Sequence, residues 1–132
     1  MAAQFMLDTD TVSFALRGQG GVGEEILKRN PADLCVSAIT VAELRFGADR
    51  RKSAKLHRLI DTFTATVVVS AFDEECAFEF GKLASVLADR GVPIGDADTY
   101  VAAHAKSLRL TLVTSNVKHF ARVAGLKVET WA

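Results

Sequence analysis

The fold of this chain is decided by one short segment near the N-terminus, Phe5-Met6-Leu7-Asp8-Thr9-Asp10-Thr11. Three apolar residues are followed at once by acids alternating with hydroxyls, a pattern that indicates a short buried strand ending in a polar turn. Ligands of open α/β sheets bind at the carboxyl edge of the strands, which is where this turn would lie. Asp8 is therefore expected at a binding edge, where a buried charge needs a compensating partner.

Composition places the chain among globular proteins and leaves its partners open. The 132 residues are enough for one domain, 1–132, and 49% of them are hydrophobic. The formal net charge is zero, so only the local distribution of charge bears on nucleic-acid binding. Cys35 and Cys76 lie far apart in apolar surroundings and are interpreted as core residues. No segment resembles a signal peptide or a membrane span, which predicts a cytoplasmic protein without membrane contact.

Apolar runs and helical periodicities alternate along the chain. Strands are predicted at residues 5–7, 34–37, 66–70, 110–114 and, at an edge, 126–128. Helices are predicted at residues 11–17, 24–29, from Thr40 to a stop at Gly47, around 56–63, 73–90, 97–107 and briefly around 118–120. This alternation predicts an α/β fold, a three-layer α/β/α sandwich with a mainly parallel central sheet.

Acidic and amide side chains recur at one edge of the predicted sheet. They follow a strand or begin the next helix, at Asp8, Glu43, Asp98 and Asn116. Three carboxylates at one edge would repel each other and resist ionising. Mg²⁺ or Mn²⁺ resolves this repulsion, because hard cations take oxygen ligands and keep several waters, and they activate water in phosphodiester hydrolysis. Zinc is disfavoured, because the sequence has no His-x-x-x-His or Cys-x-x-Cys pattern.

Spacing alone leaves other interpretations of these acids open. Thr40 and Glu43 fit a Thr-x-x-Glu capping box, and spacing favours that structural role for Glu43. Asp96 follows Gly95 and is either the N-cap of the next helix or a contact to metal or water. Asp98 lies inside the first helical turn, where the helix dipole favours an anion, and is the better ligand candidate.

Hydroxyls and basic residues complete the set of candidates. Supporting hydrogen bonds to a water on the metal or to a phosphate are expected from Thr9, Thr114 and Ser115, although a strand-end hydroxyl is often only a cap. The stretch between Arg45 and Arg58 is strongly basic and is either a solvated surface or a phosphate-contacting patch. Its candidates for backbone contact are Arg45, Arg50, Arg51 and Lys52. His104 is interpreted as a core residue without a catalytic role.

Several segments occur in an order that is typical of one family. They are Met6-Leu7-Asp8-Thr9, residues 37–48, residues 93–98 with 101–105, and Leu112-Val113-Thr114-Ser115-Asn116 with Phe120. Each segment is weak by itself, but the ordered set covers almost the whole chain. It resembles PIN-domain ribonucleases, specifically the VapC-type toxins of bacterial toxin–antitoxin pairs, which implies a PIN-like fold.

The resemblance also implies an activity and a set of partners. It implies a Mg²⁺- or Mn²⁺-dependent endoribonuclease that cuts structured RNA, often tRNA, and arrests translation. It further implies a homodimer, silenced by a cognate antitoxin that binds operator DNA through its own domain. In this sequence Asp8, Glu43 and Asp98 fall on the family's three main acidic positions. Asn116 stands where many members have a fourth acid, which leaves the number of metal ions open, and Asp10 stands where Asn is usual.

Two alternatives compete with this interpretation. The Asp8-Thr9-Asp10 segment also fits haloacid-dehalogenase-like phosphatases, with Asp8 as nucleophile and Asp10 as general acid/base. No lysine in a convincing motif precedes Gly95, and the Glu43 segment would then be unexplained. The second alternative is a catalytically silent PIN domain that acts as an antitoxin-binding regulator.

Overall fold

The computed structural model describes residues 3–132 and contains an entirely parallel sheet. Its strands are β1 (Phe5–Leu7), β2 (Leu34–Ser37), β3 (Val68–Ser70), β4 (Thr111–Val113) and β5 (Val128–Glu129). They are arranged in the order β3-β2-β1-β4-β5, so that β1 is central. Met6 is aligned with Cys35 on one side and with Leu112 on the other. The prediction of a mainly parallel sheet is confirmed.

Helices occupy every interval between consecutive strands. They are α1 (Thr9–Leu16), α2 (Val22–Leu27), α3 (Ala38–Arg50), α4 (Ala54–Thr66), α5 (Glu74–Asp89), α6 (Asp96–Ser107) and α7 (Val117–Phe120). A short 3₁₀ turn, Pro31–Asp33, precedes β2. Within residues 3–132, no helix is long and apolar enough to cross a membrane.

The sheet has a separate apolar core on each face, because successive side chains of a strand point to opposite sides. Met6 and Leu112 pack on one face in a cluster with residues of α5 and α6. Leu7 and Val113 pack on the other face in a cluster with residues of α1, α3 and α4. The two helical layers therefore cover the sheet on both sides, and the predicted α/β/α sandwich is confirmed.

The start and end of α3 differ from the prediction. The helix begins at Ala38, because the Ser37 hydroxyl accepts the backbone N–H of Ile39 at 3.0 Å and so caps it. Thr40 lies inside the helix, so the expected capping box of Thr40 and Glu43 is wrong. The predicted stop at Gly47 is also wrong, since the helix continues to Arg50. A glycine inside a helix costs only about 1 kcal/mol relative to alanine, which packing of the helix offsets.

The start of α6 is a second correction. Its N-cap is Gly95, whose φ of +91° lies in the region that favours glycine, and Asp96 is the first helical residue. Asp96 is therefore not the N-cap. The backbone N–H of Thr99 donates to the Gly95 carbonyl at 3.0 Å and closes the first turn.

The helix α6 runs back along α5 and brings its N-terminus to the carboxyl edge of the sheet. Phe80 of α5 stacks on Tyr100 with ring centroids 4.1 Å apart, and Cys76 Sγ lies 3.2 Å from Ser107 Oγ. Cys76, near the start of α5, thus lies beside Ser107 at the end of α6, so the two helices are antiparallel. Asp98 consequently reaches the carboxyl edge although α5, and not a strand, precedes its helix.

The two outer strands are shifted from their predicted positions. Helix α4 continues to Thr66, so β3 is confined to Val68–Ser70 and does not begin at residue 66. The last strand is Val128–Glu129, two residues beyond the predicted start at Leu126. Both are short edge strands, for which few core contacts specify the ends.

His104 is fully buried in the last turn of α6. Its Nδ1 lies 2.8 Å from the Ser37 hydroxyl, and the ring of Phe72 stands edge-on to the imidazole at 5.5 Å. No hydrogen-bond partner within residues 3–132 is found for Nε2. Burial lowers the pKa of His104, because the charged imidazolium is disfavoured in this setting.

We expect the contribution of His104 to the free energy of unfolding to fall as the pH is lowered from about 7.5 to 5.5. The unfolded chain, in which the His104 pKa returns to about 6.5, takes up a proton that the folded chain resists. Stability is therefore present above this value and is lost below it, at no more than about 1.4 kcal/mol per pH unit. Urea unfolding of wild type and His104→Gln measures this effect. Equal pH slopes for the two proteins would contradict it.

Candidate active site

Asp8 lies at the end of β1 and begins α1. Its Oδ1 accepts the backbone N–H of Thr11 at 2.8 Å, and its own N–H donates to the Val113 carbonyl at 3.0 Å. The residue is 5% exposed. Burial raises the pKa of Asp8, an effect only partly offset by hydrogen bonds from Thr114 and Thr11.

Glu43 lies in the second turn of α3 and is held by a hydroxyl from α1. Thr9 Oγ1 donates to Glu43 Oε1 at 2.6 Å and also lies 3.2 Å from the hydroxyl of the fully buried Thr40. Burial raises the pKa of Glu43, the hydrogen bond from Thr9 opposes this, and the charges of Asp98, Asp10 and Asp8 raise it further. Glu43 therefore contacts α1 through Thr9 and does not cap α3.

Asp98 lies in the first turn of α6 and is paired with a histidine that sequence reasoning missed. His119 Nε2, from α7, is 3.0 Å from Asp98 Oδ2. Burial raises the pKa of Asp98; the nearby His119 lowers it, and the charge of Asp10 raises it. The signal for His119 in the sequence was weak. The residue follows β4 closely, which places it near the carboxyl edge of the sheet, where Asp98 also lies.

The four acids influence one another electrostatically. The charge of exposed Asp10 contributes to the raised pKa of each of Asp8, Glu43 and Asp98. Within residues 3–132, no lysine or arginine forms an ion pair with any of them. We call the group of Asp8, Glu43 and Asp98 the acidic edge. It concentrates negative charge that this part of the chain leaves largely uncompensated.

The other predicted site residues lie around the acidic edge and differ in burial and in hydrogen bonding. Thr114 is buried beside Asp8, and its hydroxyl also accepts the backbone N–H of Asn116 at 3.0 Å. Ser115 and Asn116 are exposed, and Asn116 occupies the N-cap position of α7 without a side-chain capping bond. Asp96 is exposed at the start of α6.

The basic candidates divide into two kinds. Arg45 forms an ion pair with Asp61, and its Nη1 donates to the His57 carbonyl at 3.2 Å, so its guanidinium joins α3 to α4. Arg50, Arg51 and Lys52 are exposed at the end of α3. They lie seven or more residues beyond Glu43, which corresponds to about 11 Å along the helix.

The donor chemistry of the acidic edge fits a hard divalent cation. Three carboxylates with raised pKa values supply only oxygen ligands, and a cation would favour their charged forms. Among residues 3–132, no three His, Cys, Asp or Glu side chains form a ready-made cage for a bare ion. Mg²⁺ suits such a site, because it keeps several waters and needs few direct protein ligands.

Comparison with known proteins identifies the family. The model of the PIN domain family matches residues 5–126. The chain is 32% identical over 129 residues to the tRNA(fMet)-specific endonuclease VapC of Salmonella typhimurium, covering 97% of this chain and 98% of that protein. It is 35% identical over 132 residues to Ribonuclease VapC2 of Haemophilus influenzae (strain Rd), covering 97% and 98%.

A solved structure agrees with the sequence comparison. The crystal structure of VapBC2 from Rickettsia felis, bound to a DNA fragment from their promoter, matches with a TM-score of 0.89 and 29% identity over 97% of this chain and 98% of that chain. Fold and acidic edge together define a PIN-domain nuclease. The chain belongs to the PIN-domain family, among its VapC-type ribonucleases. The phosphatase alternative is thereby wrong.

We expect Asp8→Asn to stabilise the folded chain in EDTA at pH 7, raising its melting temperature by about 3–5 °C. The substitution removes a buried charge, while the amide oxygen still accepts the Thr11 N–H. Asp10→Asn removes the same charge at an exposed position and should change the melting temperature by less than about 2 °C. Added Mg²⁺ should stabilise wild type more than Asp8→Asn. A lower melting temperature for Asp8→Asn in EDTA would contradict this account.

Proposed function

We propose that this chain is the Mg²⁺- or Mn²⁺-dependent endoribonuclease toxin of a toxin–antitoxin pair, which hydrolyses phosphodiester bonds in tRNA or another structured RNA. The observation that supports this most strongly is the acidic edge. Its carboxylates come from three separate elements, their pKa values are raised, and no lysine or arginine within residues 3–132 pairs with them. In the cytoplasm such an activity would inhibit translation.

The side chains of the acidic edge are held in place by their own neighbours. Asp8, Glu43 and Asp98 would hold the cation, directly or through water, and Asp96 and Asn116 are candidates for outer contacts. When bound, the cation would activate water and offset charge on the leaving oxygen. The Thr11 N–H fixes one oxygen of Asp8, and the Thr9 hydroxyl fixes one oxygen of Glu43. The expected products carry 5′-phosphate and 3′-hydroxyl ends.

The RNA backbone would lie along the exposed end of α3. Arg50, Arg51 and Lys52 are exposed there, and none of them forms an ion pair within residues 3–132. Arg45 was predicted to share this role, but its guanidinium already contacts Asp61 and the His57 carbonyl. Any contact of Arg45 to RNA would require it to leave these partners.

We propose a cognate antitoxin as the protein partner, with operator DNA bound only through that antitoxin. The Rickettsia felis relative is a VapBC2 complex on promoter DNA, which supports this assignment. A homodimer, which family resemblance implies, is part of the same proposal.

Purified wild type should cut tRNA in the presence of Mn²⁺. Asp8→Asn, Glu43→Gln and Asp98→Asn should each lower the cleavage rate by at least about 100-fold, because each removes charge from the cation site. Asp10→Asn should keep most activity, since exposed Asp10 is only an electrostatic neighbour. Cleavage assays with RNA-end mapping, and inducible expression of wild type and Asp8→Ala, measure these effects.

One combination of results would overturn the nuclease, and another result would revise only its cation site. If wild type with Mn²⁺ cuts no RNA, and Asp98→Ala is as toxic in cells as wild type, the chain is a catalytically silent antitoxin-binding regulator. If Asp10→Asn loses as much activity as Asp8→Asn, Asp10 belongs among the residues that hold the cation.

RNA affinity should fall steeply with salt if Arg50 and Arg51 bind phosphates. Arg50→Gln/Arg51→Gln should reduce the slope of log affinity against log salt by about 0.7–0.9 for each phosphate that is no longer neutralised. The matched control is Arg109→Gln/Lys127→Gln, which removes two exposed charges at the opposite edge of the sheet. Binding is measured with Asp8→Asn as the background, so that RNA stays intact. Equal slopes for the two double variants would contradict the assignment.

A further inference from the structure

One ring nitrogen of His119 lies close to two oxygens. Its Nε2 is 2.8 Å from the backbone carbonyl of Ile94 and 3.0 Å from Asp98 Oδ2. A carbonyl oxygen only accepts hydrogen bonds, so Nε2 must carry a proton whatever the charge of the ring. The N–H donates to the Ile94 carbonyl, and Asp98 Oδ2 lies within ion-pair distance of the same nitrogen. The main chain thereby determines the orientation of the imidazole that faces Asp98 Oδ2.

The imidazole ring is braced on more than one side. Ile94 is 5% exposed and belongs to the apolar core between the sheet and α5 and α6. The ring of Phe120, itself fully buried, stands edge-on to the imidazole with centroids 5.6 Å apart. His119 thus joins α7 to the segment that precedes α6, and its position follows from the core.

This arrangement leaves the two oxygens of Asp98 in different situations. Oδ2 is held by His119, whereas Oδ1 has no hydrogen-bond partner within residues 3–132. Glu43 shows the same division, with Oε1 held by Thr9. In both acids one oxygen is fixed by the protein, which turns the carboxylate and presents the other.

We propose that His119 is a positioning residue that orients the Asp98 carboxylate for the divalent cation by holding Oδ2. This inference rests on the proposed function, since it concerns the same cation. Neighbours that orient a metal-binding carboxylate typically contribute about 10- to 100-fold in metal affinity or activity. His119 acts through Asp98 and does not touch the RNA.

A matched pair of variants separates orientation from packing. His119→Phe keeps a ring of similar shape against Phe120 but has no donor for Asp98. His119→Gln loses the ring but keeps an amide N–H near the position of Nε2. Arg122→Gln is the control, because Arg122 Nη1 lies 3.4 Å from the Pro93 carbonyl in the same loop and pairs with no acid within residues 3–132.

The readouts are Mn²⁺ binding to the full chain, followed by the paramagnetic resonance of the free ion, and tRNA cleavage at several Mn²⁺ concentrations. We expect His119→Phe to weaken Mn²⁺ binding about tenfold and His119→Gln to restore it to within about threefold of wild type. Arg122→Gln should bind as wild type. Loss of cleavage in His119→Phe should be relieved by raising the Mn²⁺ concentration.

The inference would be overturned if His119→Phe bound Mn²⁺ as tightly as wild type. It would also be overturned if a folded His119→Gln bound Mn²⁺ as weakly as His119→Phe. Either result would leave the nuclease proposal intact. If wild type neither binds Mn²⁺ nor cuts RNA, the proposed function itself fails, and the inference fails with it. If His119→Phe does not fold, His119→Gln is compared with His119→Asn, whose shorter side chain does not reach Asp98. Tight Mn²⁺ binding by His119→Gln with weak binding by His119→Asn supports the inference, and equal Mn²⁺ binding by the two variants overturns it.

Discussion

Asp8 is the constraint on which the remaining structure depends, because its backbone and its side chain each join separate elements. Its backbone N–H joins the end of β1 to the Val113 carbonyl, and its Oδ1 caps α1 by accepting from Thr11. The Thr11 hydroxyl returns to the same Val113 carbonyl at 3.1 Å. A capping carboxylate normally gains from the helix dipole, yet burial still raises the pKa of Asp8. The fold therefore places a charge at its centre that needs a further partner.

Glu43 and Asp98 are also positioned by contacts from neighbouring elements. Thr9, next to Asp8, reaches across to Glu43 on α3, and His119 reaches from α7 to Asp98 on α6. Each contact joins elements that the sheet order brings together at one edge. Rigid positioning of this kind lowers the cost of organising a cation site when the ion and RNA bind. The same contacts explain why the acids tolerate their mutual repulsion.

The alternation of apolar runs and periodic helices was sufficient to predict the layers and the parallel sheet. It also predicted that Asp8, Glu43 and Asp98 lie near one edge, because carboxyl ends of parallel strands meet there. Short local patterns performed worse. The capping box at Thr40 failed because Ser37, at the end of a buried strand, caps α3 first, and because Glu43 has a tertiary partner in Thr9.

Contacts between residues distant in sequence account for what sequence reasoning missed. No pattern near His119 signals that it meets Asp98, since the pairing depends on how α6 and α7 are set against the core. The ion pair of Arg45 was missed for the same reason. The basic residues around Arg45 predicted a contact to RNA, but its guanidinium pairs with Asp61 on the following helix. Exposed Arg50 and Arg51 have no such competing partner among the ion pairs of residues 3–132.

The distribution of the site along the chain has a consequence for biosynthesis. The first acid directly follows the first strand, but Val113 and Thr114, which hold Asp8, belong to the fourth strand and the turn after it. Contacts of such long sequence separation form late in folding. A growing or truncated polypeptide would carry all three acids without the contacts that arrange them. A hazardous activity would then emerge only after β4 and α7 have been synthesised, which gives an inhibitor made alongside it time to arrive.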